Sequence, residues 1–175
     1  MSAAPISVAM LMGADSDWPA LEAAVEIFTH FGIGWEAHAL SAHRSPEQVR
    51  QFVQQAPGRG VKVFIAGAGG AAHLAGVVAA HTTLPVIGVP IQSQALNGLD
   101  SLLSTVQMPK GVPVATVAIG GAANAALLAV QILGVGDPAI AQKLAAHKTD
   151  LAAKTVKADQ ALQAKIAAAP ASARG

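Results

Sequence analysis

Residues 6–12 read ISVAMLM and residues 13–19 read GADSDWP, and the junction between them decides the fold. A mostly apolar run of this length, carrying β-branched Ile6 and Val8, predicts a strand covered on both faces. The polar turn from Gly13 to Asp17 offers Ser16 or Asp17 as a helix cap, with Pro19 in the first helical turn. Leu21, Val25, Phe28 and Phe31 then recur at helical spacing, and Gly32 ends the helix.

The same unit repeats outward along the chain. Trp35 to Leu40 predicts a second strand, and Ser45-Pro46-Glu47 starts a helix with Val49, Phe52 and Val53 on its apolar face, closed by Pro57-Gly58. Val61 to Ala66 predicts a third strand that runs into the small residues Gly67 to Ala72 and then His73. A helix over about 72–81, a strand over 84–89, a helix over 96–106, a strand over 112–118 and a helix over 122–133 follow. Strands and helices that alternate about every 25 residues imply right-handed crossovers and a parallel sheet. The expected fold is α/β: a three-layer α/β/α sandwich with a flavodoxin- or Rossmann-like parallel sheet of about five strands, plus C-terminal helices. Residues 1–136 read as one domain and 137–175 as its helical extension. Within that extension, Leu144, Leu151, Ala158, Leu162 and Ile166 form an apolar stripe on one helix or two, lying on the body or on a neighbouring subunit, or left as a solvated tail. The final APASARG is expected to fray.

Composition narrows the function classes. The chain has 175 residues, 53% hydrophobic and 12% charged, which excludes an intrinsically disordered chain. Forty alanines and only 3% aromatics give a core with little area per residue, and such a chain must pack closely or bury more surface by oligomerising. Cysteine is absent, which excludes disulfides, thiolate metal sites and cysteine nucleophiles. A net charge of +1 without a basic cluster speaks against nucleic acid as a partner. No signal-peptide pattern and no apolar run of about 18 residues is present, so a soluble, cytoplasmic protein without membrane contact is expected.

Ligands of open α/β sheets bind at the carboxyl ends of the strands, which directs attention to a few loops. Gly67-x-Gly69-x-x-Ala72 follows a strand and opens a helix, as a dinucleotide fingerprint does. It sits in the third unit instead of the first, the next strand ends without an acid for a ribose diol, and His73 stands just past it. The loop does offer main-chain amides at a helix N-terminus, from Gly69, Gly70 and Ala71. The first loop reads equally as a phosphate and sugar site, through its amides, Ser16 and Asp17, or as an ordinary cap. In Ser41-Ala42-His43-Arg44-Ser45, an imidazole suited to acid–base work adjoins a guanidinium suited to a phosphate. His73 can line the same crevice or cap its helix. His30, His38, His81 and His147 show no metal-ligand spacing, and no metal site is expected.

These loops resemble a known family. MGADSDW at 12–18, SAHRSP at 41–46, AGAGGAAHLAG at 66–76, the stretch from Thr82 to Gly120 that contains LNGLDSLLSTVQMP, and NAALLAVQIL at 124–133 are similar to the PurE family, over roughly residues 6–135. Within it they look like the class I bacterial N5-carboxyaminoimidazole ribonucleotide mutases of purine biosynthesis. The resemblance implies transfer of a carboxylate from an exocyclic nitrogen to ring carbon C4 of a ribonucleotide, with no cofactor and no metal. Residues 1–136 would then be the nucleotide-binding catalytic domain. His43 matches the general acid/base. Gly13, Ala14, Ser16, Asp17 and Arg44 match the ribose-phosphate side, with Ser41 alongside. Gly69, Gly70, Ala71 and His73 match the base side. The resemblance also implies a homo-octamer built partly by C-terminal segments that reach a neighbour. A class II relative, which carboxylates aminoimidazole ribonucleotide directly, and a non-catalytic nucleotide-binding protein are the alternatives. Three departures from the family pattern stand out: Ala14 where serine is common, Ala75 where proline is common, and a turn at 120–124 about two residues shorter.

Overall fold

The computed structural model describes residues 5–168, and the carboxyl-terminal segment expected to fray lies outside the described residues. Five parallel strands, β1 (Ile6–Met12), β2 (Gly34–Ala39), β3 (Val63–Gly69), β4 (Val86–Ile91) and β5 (Ala115–Thr116), form one sheet in the order β2-β1-β3-β4-β5. This is the flavodoxin-like order, with its switch point between β1 and β3. The helices are α1 (Trp18–Leu21), α2 (Ala23–Phe31), α3 (Pro46–Gln55), α4 (Leu74–Ala80), α5 (Leu99–Val106), α6 (Ala122–Gly134) and α7 (Pro138–Ala168).

The alternation of side chains along each strand splits the core in two. Val8, Met10, Met12, Ile65 and Ile87 pack on one face against Leu21 and Phe28 and against the alanines of α6. Trp35 stacks on both Trp18 and Phe28 there, with centroids 6.2 and 6.5 Å away. Ala9, Leu11, Phe64 and Ala66 pack on the other face against Val49, Val53, Leu74 and Val78 of α3 and α4. Both faces of β1 are thus covered, as its apolar sequence requires.

The strands and helices fall close to where the sequence places them, although β3 runs on to Gly69 instead of ending at Ala66 and the first helix is broken into α1 and α2 at Glu22; three further shifts are informative. β4 continues through Pro90 to Ile91, because β5 pairs with β4 only at Ile87 and Gly88. No ladder partner needs the missing Pro90 N–H, and the Pro90 carbonyl accepts from Gly120 instead. For the same reason β5 is two residues long instead of seven. α5 starts at Leu99 and not at Leu96, because Asn97 and Gly98 take positive φ values of 52° and 93°. α7 is a single helix of 31 residues, about 46 Å long at 1.5 Å per residue. Its first turns dock through Ile140 and Leu144, and Lys143 Nζ donates to the Phe31 carbonyl at 2.9 Å, at the C-terminal end of α2. Leu151, Val156, Leu162 and Ile166 remain exposed.

One turn tests the backbone geometry directly. Gly60, at φ 102°, joins the segment after α3 to β3, and a Cβ there would stand 2.9 Å from the Ile6 carbonyl oxygen. Gly60→Ala is expected to cost about 1–3 kcal/mol, read as a lower denaturant midpoint with unchanged slope.

Candidate active site

β1, β2 and β3 end side by side at the switch point, and their loops enclose a cleft of about 440 Å³. A larger groove of about 630 Å³ lies at the opposite edge of the sheet, but among the described residues Lys62 and Asp137 are the only charged ones lining it. The chemistry collects in the first cleft.

The loop after β1 is held by its own carboxylate: Asp17 Oδ2 accepts from the Ala14 N–H at 3.1 Å. The amide that remains when a serine is replaced by Ala14 is therefore already engaged. Gly13, Ala14 and Asp17 line the cleft, whereas Ser16 is exposed beside it and is not part of the wall.

The loop after β2 is closed by two serines. Ser45 Oγ donates to the Ser41 carbonyl at 3.1 Å and accepts from the Ser41 N–H at 3.0 Å. Ser41 Oγ in turn accepts from the Arg44 backbone N–H at 3.1 Å and from Nε at 3.3 Å. Arg44 Nη2 then donates to the Gly13 carbonyl at 2.7 Å, tying the second loop to the first. Among the described residues Arg44 has no carboxylate partner. A guanidinium held only by neutral groups at the wall of a cleft keeps its charge for an anion.

The loop after β3 brings the second histidine. Gly70 turns the chain at φ 64°, and the Ala72 and His73 amides donate to the Gly70 and Ala71 carbonyls, both at 2.9 Å. His73 stands at the N-terminal end of α4, and its Nδ1 lies 2.8 Å from His43 Nε2, with the rings perpendicular. One nitrogen of this pair donates and the other accepts, so the two imidazoles share a proton between loops thirty residues apart. Ser41, His43, Arg44, Gly69, Ala71 and His73 line the cleft. Gly70 does not, and its N–H is taken at 2.8 Å by Ser101 Oγ. Ala42, Ala68 and Leu74 complete the wall; as small or apolar neighbours of the motif residues they carry no chemical signal of their own.

The two other departures are also placed. Ala75 is buried and packs over Gly88, where a Cβ would meet Ala75 Cβ at 3.4 Å. The short turn at 119–122 is closed by backbone bonds from Gly121 to Ala118 and from Ala122 to Gly120, and it does not line the cleft.

Open, doubly wound α/β sheets bind ligands at the switch point, and here that point holds a histidine pair and an arginine that has no carboxylate partner among the described residues. The family model for AIR carboxylase matches residues 7–154. The chain is 60% identical to the N5-carboxyaminoimidazole ribonucleotide mutase of Saccharolobus solfataricus, over 82% of this chain and 91% of the relative. It is 53% identical to the protein of the same name from Mycobacterium tuberculosis, over 89% and 90%. A crystal structure of a single-residue variant of Treponema denticola PurE2 superposes with a TM-score of 0.82 at 29% identity, covering 89% of this chain and 96% of that one. The chain belongs to the AIR carboxylase family.

Next to the cleft, Asp100 anchors the loop before α5. Its Oδ1 accepts from Ser93 Oγ at 2.6 Å and from the Ser101 N–H at 2.9 Å. The Ser93 hydroxyl, with the backbone bond from Ser101, holds this carboxyl below its ordinary value of 3.8, against a smaller opposing effect of burial. A lowered carboxyl stabilises the fold above pH 3.8, and that contribution is lost as the pH falls through the lower folded value. Asp100→Asn is expected to unfold at lower denaturant than the parent at pH 7, with the gap closing as the pH is taken below 3.8. A gap independent of pH would remove the carboxylate from this account.

Proposed function

We propose that this protein is an N5-carboxyaminoimidazole ribonucleotide mutase, an isomerase of purine biosynthesis, acting in the cytoplasm as a homo-octamer. The observation that carries the reading is the His43–His73 pair set beside Arg44 in one cleft. The identities of 51–60% to proteins of that name support it, and they exceed the 29% to the Treponema PurE2 variant.

In this reading Arg44 holds the ribose phosphate, with Asp17 and Ser41 bracing the sugar side. The base lies toward the loop after β3. His43 donates a proton to the exocyclic nitrogen as its bond to the carboxyl carbon breaks, releasing carbon dioxide inside the cleft. Ring carbon C4 attacks the trapped carbon dioxide, and His43 then removes the C4 proton. One bond to carbon is exchanged for another, and the proton lent at the start is recovered, so no co-reactant is consumed. His73 shares a proton with His43 and holds its ring in place between the two transfers. Small residues at Ala68, Gly69 and Ala71 keep the wall close and leave little room for water around an apolar intermediate. The Ala71 N–H, which has no acceptor among the described residues, is the fixed dipole for the migrating carboxylate.

Two surfaces support assembly. Leu99, Leu103 and Val106 of α5 are 50%, 47% and 47% exposed, and the distal half of α7 leaves its apolar residues uncovered. An apolar stripe of this kind marks a surface that a partner covers.

Purified protein is expected to convert N5-carboxyaminoimidazole ribonucleotide without metal or nucleotide cofactor. His43→Asn is expected to lose ~10²–10⁴-fold in kcat while still binding the nucleotide. Turnover of aminoimidazole ribonucleotide with bicarbonate, and not of the N5-carboxylated form, would reassign the chain to direct carboxylation; near-normal turnover by His43→Asn would remove the acid/base role. Light scattering is expected to give an octamer for the parent and smaller species for Leu103→Asp, and a parent that runs as a monomer would contradict the assembly.

A further inference from the structure

Two polar side chains are buried among the described residues, Ser101 at 0% and Thr105 at 2% exposure. Both lie on α5, and both face the loop that carries Ala71 and His73. Ser101 Oγ accepts from the Gly70 N–H at 2.8 Å. Thr105 Oγ1 donates to the Ser101 carbonyl at 2.7 Å and lies 3.5 Å from the Ala72 carbonyl oxygen. Half-buried Ser104 places its Oγ 3.4 Å from the Gly70 carbonyl oxygen. The polarity of α5 is therefore inverted: its hydroxyls face the interior, while Leu99 and Leu103 face outward.

A buried hydroxyl without a partner is costly, so the placement of these groups has a consequence for the loop. Of the four amides from Gly70 to His73, Gly70 is taken by Ser101, Ala72 by the Gly70 carbonyl and His73 by the Ala71 carbonyl. Of these four, only the Ala71 amide has no acceptor among the described residues, and Ala71 lines the cleft. Gly70 sits in the left-handed region at φ 64°, a conformation that glycine leaves as readily as it enters. The Ser101 bond is what selects it.

We infer that Ser101 is a positioning residue for the carboxylate transfer. By capturing the Gly70 amide it fixes the turn at 70–73, which leaves the Ala71 N–H for the migrating carboxylate and brings His73 to His43. The inference rests on the mutase reading for its chemistry, while the geometry of the turn stands independently of it.

The test compares the full-length parent with Ser101→Ala by steady-state kinetics, thermal unfolding and NMR of 15N-labelled histidine side chains. Loss of the peg is expected to lower kcat about 10-fold or more, with KM changed by less than about 2-fold because Arg44 and Asp17 are untouched. The imidazole signals of His43 and His73 are expected to shift. Unchanged kcat with only a lower melting temperature overturns the inference and leaves the mutase reading intact. If the parent itself fails to turn over the nucleotide, the mutase reading falls, and the NMR comparison alone decides the positioning role: shifted imidazole signals sustain it and unshifted ones refute it. Should Ser101→Ala not fold, Ser101→Cys, which keeps a side chain of similar size but is a much weaker acceptor for the Gly70 N–H, takes its place with the same readouts and the same direction of effect.

Discussion

β1 is paired in parallel with β2 along one edge and with β3 along the other, and its side chains from Val8 to Met12 are buried on both faces. This doubly covered strand is the constraint on which the functional edge depends. It forces the chain to leave β1 in one direction and to return past it in the other, so three loops distant in sequence end within reach of one another. The bond from Arg44 to the Gly13 carbonyl and the 2.8 Å contact between His43 and His73 are consequences of that arrangement. Neither residue pair has any local reason to meet.

The cleft is held by backbone and short side chains more than by charge. Ser41, Ser45, Asp17 and Ser101 each satisfy a main-chain group of a loop, and Arg44 in the wall has no carboxylate partner among the described residues. This division leaves the guanidinium without a neutralising partner while the loops keep their shape through short hydrogen bonds to the backbone. The hydrogen bond between the two imidazoles fits the same pattern, orienting one ring by another without a carboxylate.

Strand and helix positions were legible because apolar runs and periodicity follow from burial, which is a property of the chain itself. The motif residues were legible for a different reason: imidazole, guanidinium and hydroxyl in one tight loop have few structural uses. The extension of β4 through Pro90 was not legible, because it depends on how short the neighbouring β5 is. The start of α5 was displaced by the positive φ of Asn97, a residue whose identity only permits that conformation. Ser101 and Thr105 were invisible as site components. In sequence they look like ordinary polar residues on an amphipathic helix, where the leucines are the natural buried face. The usual pattern is reversed here: Leu99 and Leu103 stay about half exposed among the described residues, while Ser101 and Thr105 are buried.

The abundance of small residues also gains a specific meaning. A Cβ at Gly88 would collide with Thr105 Cγ2, and one at Gly67 would press within 2.9 Å of Leu21. Gly88 is therefore what lets α5 lie close against β4. At that distance the Ser101 hydroxyl reaches the Gly70 amide, and the turn that carries Ala71 and His73 is set. Gly67 lets α1 pack tightly over β3 on the opposite face and holds the loop after β1 near the same turn. The cleft is shaped from beneath by missing side chains. A bulkier core at these positions would push the pegging helix outward by a fraction of an ångström, enough to break a hydrogen bond whose useful range is a few tenths of an ångström. Much of the alanine in α7 has no such role. It lies on an exposed helix, where its high helix propensity is sufficient reason for its presence.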